Sequence, residues 1–234
     1  MTYRGIDTIA KVSYENAKKL KELGFSFVCR YIVPETGKLK IKALTLDESN
    51  DIRNAGLCIM PIWETTGNRA KSGSSGGTAD GIAAAKRARE LGIPSGTVIA
   101  FAVDYNPPKS DYSDIAAYLR AAAWNIEGYK LGMYAPSAVI KELGSICEFR
   151  WCAFAWYTGK ADAECYQTHY QDNSAAKTVQ SKVGFAVDLD EAKSIEMMWR
   201  PNTEKEDALN WAKDFTDDIQ IALALWRYHN TYGT

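Results

Sequence analysis

Short apolar runs alternate along the chain with amphipathic segments, and several of these runs stop at a carboxylate. The run from Thr97 to Asp104 lies between Gly96 and a proline pair, a pattern typical of a strand buried on both faces. Side chains alternate along such a strand, so Ala102 and Asp104 share one face and Phe101 takes the other. In a parallel α/β fold, the edge at which strands end is where ligands bind.

The same pattern predicts eight strands and five helices before residue 191. The predicted strands are 3–7, 25–33, 57–64, 97–104, 130–134, 151–156, 163–171 and 183–190, and the predicted helices are 13–23, 47–54, 79–91, 110–126 and 137–143. Strands that alternate with helices predict a parallel sheet, and eight of them within roughly 200 residues predict an α/β fold of the (β/α)8 TIM type. An open doubly wound sheet is the competing architecture. It is disfavoured because no dinucleotide fingerprint follows the first strand.

Two further segments carry local signals. Residues 65–78 are rich in glycine and serine, so we expect a mobile loop there; the segment lacks both G-K-[ST] and G-x-G-x-x-G, which argues against a phosphate loop. The tetrapeptide Phe-Ala-Val-Asp occurs twice, at 101–104 and at 185–188. We expect both copies to be strands that end in a carboxylate.

The strand and helix alternation stops after residue 191, which predicts three parts: a barrel at 1–195, a linker at 196–207 and a helical appendage at 208–234. The appendage offers several large apolar side chains for burial, namely Leu209, Trp211, Phe215, Ile219, Leu223 and Trp226. A piece this short cannot form a core alone. Its apolar side chains must pack on the barrel, pair with a second chain in a homodimer, or begin a further binding module.

Composition and charge exclude several classes of function. The 234 residues are 46% hydrophobic and 24% charged, with a net charge of −1 and no basic block, so nucleic acid is not expected as a partner. No apolar run approaches the roughly 18 residues that cross a bilayer, and the amino terminus lacks a signal-peptide pattern. We therefore expect no membrane span, and synthesis in the cytoplasm.

The cysteines and histidines do not predict a metal site. The five cysteines show no C-x-x-C spacing and only two histidines accompany them. We expect these thiols to be reduced and buried as small apolar side chains. Neither a metal nor a cofactor is predicted.

Four carboxylates at predicted strand ends, Asp7, Glu64, Asp104 and Asp188, are the candidate catalytic groups. One acid at a strand end is usually a helix cap or a loop ligand, but a barrel would bring all four to one end. Crowded carboxylates in a partly dry cleft raise the pKa of one of them, which separates a proton donor from an ionised partner. Glycoside hydrolysis requires such a pair.

A succession of short motifs relates the chain to a known family. In order they are Gly5-Ile-Asp7, Phe27-Val-Cys-Arg30-Tyr31, Ile62-Trp63-Glu64-Thr65-Thr66, Phe101-Ala-Val-Asp104, Leu131-Gly-Met-Tyr134, Trp156, Tyr170-Gln171 and Val187-Asp188-Leu-Asp190. Together they resemble the glycoside-hydrolase-like barrel domain described as domain of unknown function 1906, over about residues 3–192. That family is similar to the lysozymes of glycoside hydrolase family 25. The resemblance implies a cell-wall glycan, peptidoglycan or a related polysaccharide, as the substrate. It also implies that the protein acts on the cell wall after its release from the cell.

The motifs also supply candidate substrate-binding residues: Arg30, Tyr31, Trp63, Asn106, Tyr134, Trp156, Gln171 and Asp190. One position departs from the pattern, since the lysozymes carry Glu where this chain has Asn106, and an amide cannot donate the catalytic proton. If the domain is active, Glu64 is the expected substitute acid, with Asp104 as nucleophile or electrostatic partner. Two functions therefore stay open, a lysin-like glycosidase and a carbohydrate-binding barrel with little or no catalysis.

Overall fold

Eight strands form a closed barrel in the computed structural model, which describes residues 2–201. The strands are Tyr3–Asp7 (β1), Phe27–Tyr31 (β2), Cys58–Trp63 (β3), Val98–Ala102 (β4), Lys130–Ala135 (β5), Phe149–Cys152 (β6), Cys165–His169 (β7) and Asp188–Ala192 (β8). Each of the eight overlaps a strand predicted from the sequence, but β6 shares only two residues with the predicted 151–156 and β8 only three with the predicted 183–190. Strands β1 to β7 all end at the same end of the barrel, and we call this end the mouth.

Six α-helices accompany these strands in the described part of the chain. They are Tyr14–Glu22 (α1), Leu46–Asn54 (α2), Gly73–Glu90 (α3), Tyr112–Asn125 (α4), Ser137–Leu143 (α5) and Ser174–Val183 (α6). Local sequence signals set several of the helix ends. Ser13 and Thr45 cap α1 and α2 through side-chain oxygens that accept backbone N–H groups, and Gly184, at φ 84°, ends α6 in the left-handed conformation.

The prediction of an all-parallel (β/α)8 barrel is wrong in one strand. β1 to β7 pair in parallel, but β8 is antiparallel to both β7 and β1, and six helices rather than eight are seen among the described residues. The chain leaves β7 at the mouth, forms α6, and then returns to the mouth through residues 184–187. β8 therefore starts at the mouth and runs down the barrel wall. The fold is a mixed α/β barrel.

Alternation along the strands separates two apolar layers. Val98, Ala100 and Ala102 of β4 belong to the cluster inside the barrel, whereas Ile99 and Phe101 belong to the cluster between the strands and the helices. Small residues make room inside the barrel: a Cβ on Gly5 would lie 2.2 Å from the Phe27 ring. All five cysteines are buried and unpaired.

The glycine-rich segment is not a loop throughout, as the sequence led us to expect, because α3 starts within it at Gly73. Its glycines allow close contact with α4. A Cβ on Gly77 would lie 2.1 Å from the carbonyl oxygen of Tyr118, and one on Gly81 would lie 2.8 Å from that of Ala122. Glycine here serves helix packing rather than flexibility.

The chain beyond β8 continues along the barrel to the end of the described residues. Met198 and Trp199 are buried, and Trp199 exchanges two backbone hydrogen bonds of 2.9 Å with Ile59. The compact unit ends at Arg200, so residues 196–200, predicted as linker, belong to it. The predicted helical appendage at 208–234, with its apolar residues, lies outside the described residues.

Candidate functional site

The mouth contains a cavity of about 290 Å³. It is lined by Asp7, Tyr31, Ile62, Glu64, Asp104, Tyr134, Trp151, Trp156, Gln167, Tyr170 and Asp188. The structure thus brings the four candidate carboxylates together with a wall of aromatic rings. The sequence predicts that Asp188 ends a parallel strand, but in the structure Asp188 begins the antiparallel strand β8.

The side-chain amide of Gln167 joins Asp7 to Asp188. Its Nε2 donates to Asp7 Oδ2 at 3.0 Å and to Asp188 Oδ2 at 2.9 Å, while its Oε1 accepts from the Tyr134 hydroxyl at 3.2 Å. Burial, followed by the negative charge of Asp188, raises the pKa of Asp7 to about 7. Burial also raises the pKa of Asp188, and the backbone N–H of Gln171, 2.6 Å from Asp188 Oδ1, opposes this shift.

Asp190 lies one layer below these two carboxylates, inside the barrel and 1% exposed. The indole N–H of Trp151 donates to Asp190 Oδ1 at 2.9 Å, and β8 places Asp190 opposite Gly5. Burial, then the charge of Asp7, raises the pKa of Asp190 well above its usual value. Asp190 therefore supports the floor of the site and does not line the cavity as a substrate-binding residue.

Glu64 and Asp104 form the other half of the acidic mouth. Lys42 Nζ donates to Glu64 Oε1 at 3.0 Å and lies 4.4 Å from the centre of the Tyr31 ring. Burial, followed by the negative charge of Glu64, raises the pKa of Asp104, and the charge of Lys42 partly opposes this rise. The backbone N–H of Asp104 donates to the carbonyl of Gly67 at 2.9 Å, and this contact is so close that a Cβ on Gly67 would lie 2.5 Å from the Asp104 carbonyl.

Aromatic rings line much of the same cavity. Tyr134 and Trp151 meet edge to face with their centroids 4.6 Å apart, and Phe154 and Tyr170 do so at 5.0 Å. Trp156 lies beyond the end of β6, in a loop instead of the predicted strand, at a positive φ of 54° and 40% exposed. Such a conformation is costly for a bulky residue and is found preferentially at binding sites. Trp156 and Tyr170, the exposed rings that line the cavity, can stack on sugar faces.

A second cavity of about 260 Å³ adjoins the first one. It shares Asp7, Tyr31 and Asp188 with it, and adds Thr8, Ile9, Gln171, Ala186 and Val187. The predicted residue Gln171 thus lies beside the main cavity. The two cavities together form a cleft across the mouth.

Besides Asp190, three predicted binding residues do not line either cavity. Arg30, 1% exposed, points out of the barrel and forms a buried ion pair with Glu48. Trp63, 2% exposed, belongs to the outer apolar layer, and among the described residues its indole N–H has no hydrogen-bond partner. Asn106 is exposed in the loop after β4 and is absent from the residues that line either cavity.

Sequence reasoning missed two residues that organise the mouth. Gln167 lies two residues after Cys165, which faces the interior of the barrel, so the alternation along β7 could have identified Gln167 as inward-facing. Lys42 follows a short 3-10 helix, Gly37–Ile41, in a polar loop without any periodic pattern, so no signal was available.

Neither a metal centre nor a membrane-spanning helix is found in the part of the chain that the structure describes. No group of three or more His, Cys, Asp or Glu side chains there could hold a metal ion. No described helix combines the length and apolar character needed to cross a bilayer.

Comparisons with known proteins indicate both family and fold. The family model for the Rv2525c-like, glycoside hydrolase-like domain matches residues 18–231. The uncharacterized protein FadG of Bacillus subtilis is 32% identical over 140 residues, which cover 57% of this chain and 24% of FadG. The chain thus spans about a quarter of the length of this curated relative.

Solved structures show the same barrel. The Tat-secreted protein Rv2525c of Mycobacterium tuberculosis, in complex with L-tartrate, gives a TM-score of 0.70 at 19% identity, covering 84% of this chain and 98% of that one. The catalytic domain of endolysin ply40, from bacteriophage P40 of Listeria monocytogenes, gives 0.53 at 17% identity, covering 83% and 94%. At these identities the likeness establishes the fold.

Proposed function

Because this chain belongs to the Rv2525c-like family of glycoside-hydrolase-like domains, we propose that it hydrolyses glycosidic bonds in a cell-wall polysaccharide, peptidoglycan or a related polymer. The observation that carries the proposal is the cavity at the mouth, which holds four carboxylates against a wall of aromatic rings. Acids supply the proton and the negative charge that glycoside hydrolysis needs, and aromatic faces bind sugar rings. The substrate class follows the resemblance of the strand-end motifs to those of cell-wall lysozymes.

Asp104 is the proton donor in this proposal. Its pKa is raised by burial and by the charge of Glu64, so it retains a proton to higher pH than an ordinary aspartate. Glu64, expected from the sequence to be the donor, instead accepts a hydrogen bond of 3.0 Å from Lys42 Nζ within an ion pair. The roles are therefore exchanged relative to the sequence-based expectation.

Asp7 and Asp188 hold the sugar from the opposite side of the cavity. Gln167 fixes both carboxylates, and their pKa values are raised by burial. An ionised carboxylate of this pair would stabilise the positive charge that develops on the sugar ring in the transition state.

The proposal is tested by incubating the purified chain with purified bacterial cell walls and measuring turbidity and the release of reducing ends. Asp104→Asn and Glu64→Gln keep shape but remove a carboxyl group, and each should lower the rate by about 10² to 10⁴-fold. Asp162→Asn is the control, since Asp162 is an exposed carboxylate that lines neither cavity of the mouth. Unchanged release by Asp104→Asn would remove Asp104 from the mechanism.

The exposed amide of Asn106 favours a second candidate, a barrel that binds the glycan without cutting it. In that case the unmodified chain binds cell walls in a pull-down assay but releases no reducing ends. Asn106→Glu restores the acid of the related lysozymes. If Asp104 is the donor, this variant should change the rate by less than about twofold, because uncoupled surface substitutions have small effects. Release by Asn106→Glu alone would overturn the assignment of Asp104.

A further inference from the structure

The second cavity at the mouth has one wall that is built from the loop after β1. Thr8 and Ile9 of this loop line the cavity together with Ala186, which lies on the segment that leads into β8. The Thr8 hydroxyl donates to the carbonyl oxygen of Ala186 at 2.7 Å and accepts from the backbone N–H of Ala10 at 3.0 Å. The wall is therefore one hydrogen-bonded unit, and its position depends on what holds Thr8.

A buried ion pair outside the barrel strands holds this loop. Arg30 donates to both carboxylate oxygens of Glu48, at 2.7 and 3.1 Å, and both side chains are at most 1% exposed. The third nitrogen of Arg30 donates to the carbonyl oxygens of Thr8 at 2.8 Å and Lys42 at 3.2 Å. Glu48 in turn accepts from the backbone N–H of Val12 at 2.9 Å. The pair thus holds the loop after β1 at two points and joins it to the loop after β2.

Arg30 and Glu48 act through the loops that they hold, because neither side chain lines a cavity of the mouth. The free energy needed to move two charged groups out of water can exceed the attraction between them, so such a pair is weak evidence for added stability. All three side-chain nitrogens of Arg30 take part in these contacts, a geometry that a planar guanidinium satisfies and a single ammonium group does not. What the pair supplies is a fixed position for the two loops.

The two cavities of the mouth have similar volumes, about 290 and 260 Å³, and they share Asp7, Tyr31 and Asp188. Pockets that enclose a drug-sized ligand measure about 300–1,000 Å³, so each of these cavities has room for about one sugar unit. Because the cavities adjoin, a glycan that places one unit among the four carboxylates can place the next unit in the second cavity.

We propose that Arg30 and Glu48 are positioning residues that hold the wall of the second cavity, and that this cavity binds the sugar unit next to the one held among the four carboxylates. The inference rests on the proposed function, because it takes the ligand to be a cell-wall glycan. It adds a second binding position to the site and assigns the shape of that position to a pair that touches no ligand.

The binding position is tested by NMR titration of the full chain with N,N′-diacetylchitobiose, a disaccharide that has the glycosidic linkage of the peptidoglycan backbone. The backbone amide signals of Ile9 and Ala186 report the second cavity, and those of Glu64 and Tyr170 report the main cavity. In the unmodified protein, the disaccharide should shift both sets of signals with one common dissociation constant.

Two variants of the ion pair test the positioning role. Arg30→Lys keeps a positive charge beside Glu48 but cannot make all the contacts. Arg30→Met combined with Glu48→Leu replaces the pair by apolar side chains, a change that proteins often tolerate without loss of stability. In both variants the disaccharide should bind about 10 to 10²-fold more weakly, since small misplacements have effects of this size, and the signals of Ile9 and Ala186 should shift less. On cell walls, KM should rise while kcat changes by less than about twofold, as expected when uniform binding is lost.

The matched control is Arg150→Met combined with Glu164→Leu. Arg150 of β6 also contacts both carboxylate oxygens of a glutamate, Glu164, which lies immediately before β7 at the end of the barrel opposite the mouth. This variant should bind the disaccharide as the unmodified protein does.

Three outcomes would overturn the inference. Unchanged binding in a double variant of Arg30 and Glu48 that is folded by circular dichroism would remove the positioning role, since a merely structural pair moves neither the dissociation constant nor KM. Shifts confined to the main cavity in the unmodified protein would remove the second binding position and leave the proposed function intact. Absence of shifts at both cavities would contradict the proposed function together with this inference.

Discussion

Asp7 is a half-buried carboxyl group at the mouth whose pKa shift links the site to the stability of the fold. It packs against two other acids, Asp188 and Asp190, and its pKa rises from 3.8 to about 7. The folded protein therefore keeps this proton through a pH range in which the unfolded chain releases it. Stability from this group is fully present below about pH 4 and is lost as pH rises through about 7, since the native state then must bury a charge.

We therefore expect the free energy of unfolding to fall between pH 5 and pH 8, measured by urea denaturation. Asp7→Asn should flatten this dependence, because the amide does not titrate and can still accept from Gln167. Asp162→Asn is the control, since the pKa of Asp162 is lowered by Lys193 and the group stays charged throughout this range. Equal slopes for Asp7→Asn and the unmodified protein would show that Asp7 is not the source.

Alternation explains which site residues the sequence could identify. Tyr31 and Glu64 reach the cavity, whereas their immediate predecessors Arg30 and Trp63 point outwards, as a period of two requires. Arg30 and Trp63 are binding candidates only because they belong to the family motifs, since strand alternation places both on the outer face of the barrel. Lys42 could not be found in this way, because its position depends on a hydrogen bond that the buried Arg30 side chain donates to the Lys42 carbonyl oxygen.

At the scale of elements, the contact between α3 and α4 depends on glycines. The helices approach so closely that a Cβ on Gly77 would overlap the backbone of Tyr118, which cannot move without shifting α4. Helix propensity alone disfavours glycine, so packing decides this segment.

Gly77→Ala should therefore destabilise the protein by about 1–3 kcal/mol, the usual cost of overpacking, although alanine is the better helix former. Thr78→Ala, at the neighbouring exposed position, is the control and should be neutral or slightly stabilising. Thermal unfolding monitored by circular dichroism measures both. A gain in stability for Gly77→Ala would mean that the helices separate easily.

The two copies of Phe-Ala-Val-Asp show why strand direction could not be predicted. At 101–104 the tetrapeptide leaves β4 at the mouth, and at 185–188 it leads into β8 from the mouth. Both copies place an aspartate at the cavity. Hydrophobic periodicity does not depend on the direction in which a strand runs. The sequence therefore predicts correctly that Asp188 lies at the mouth, although it predicts a parallel strand there.

At the scale of the whole molecule, β8 closes the barrel by pairing with both β7 and β1. Closure removes exposed strand edges, and the two apolar layers are buried on either side of the wall. Opening between any two strands would expose both layers at once. The barrel should consequently unfold as one unit.

Because all five thiols are buried, the rate at which they react with a reagent can report the rate of unfolding. Cys147 is the most exposed at 9%, and burial raises the pKa of Cys29 and Cys165 well above the usual value, so the native protein offers almost no thiolate. In excess aromatic disulfide reagent, the thiols should react only as the barrel opens, at one common rate for Cys29, Cys58 and Cys165. That rate should equal the unfolding rate extrapolated from urea experiments. Rapid labelling of Cys29 under native conditions would reveal a local opening of the barrel wall well short of unfolding.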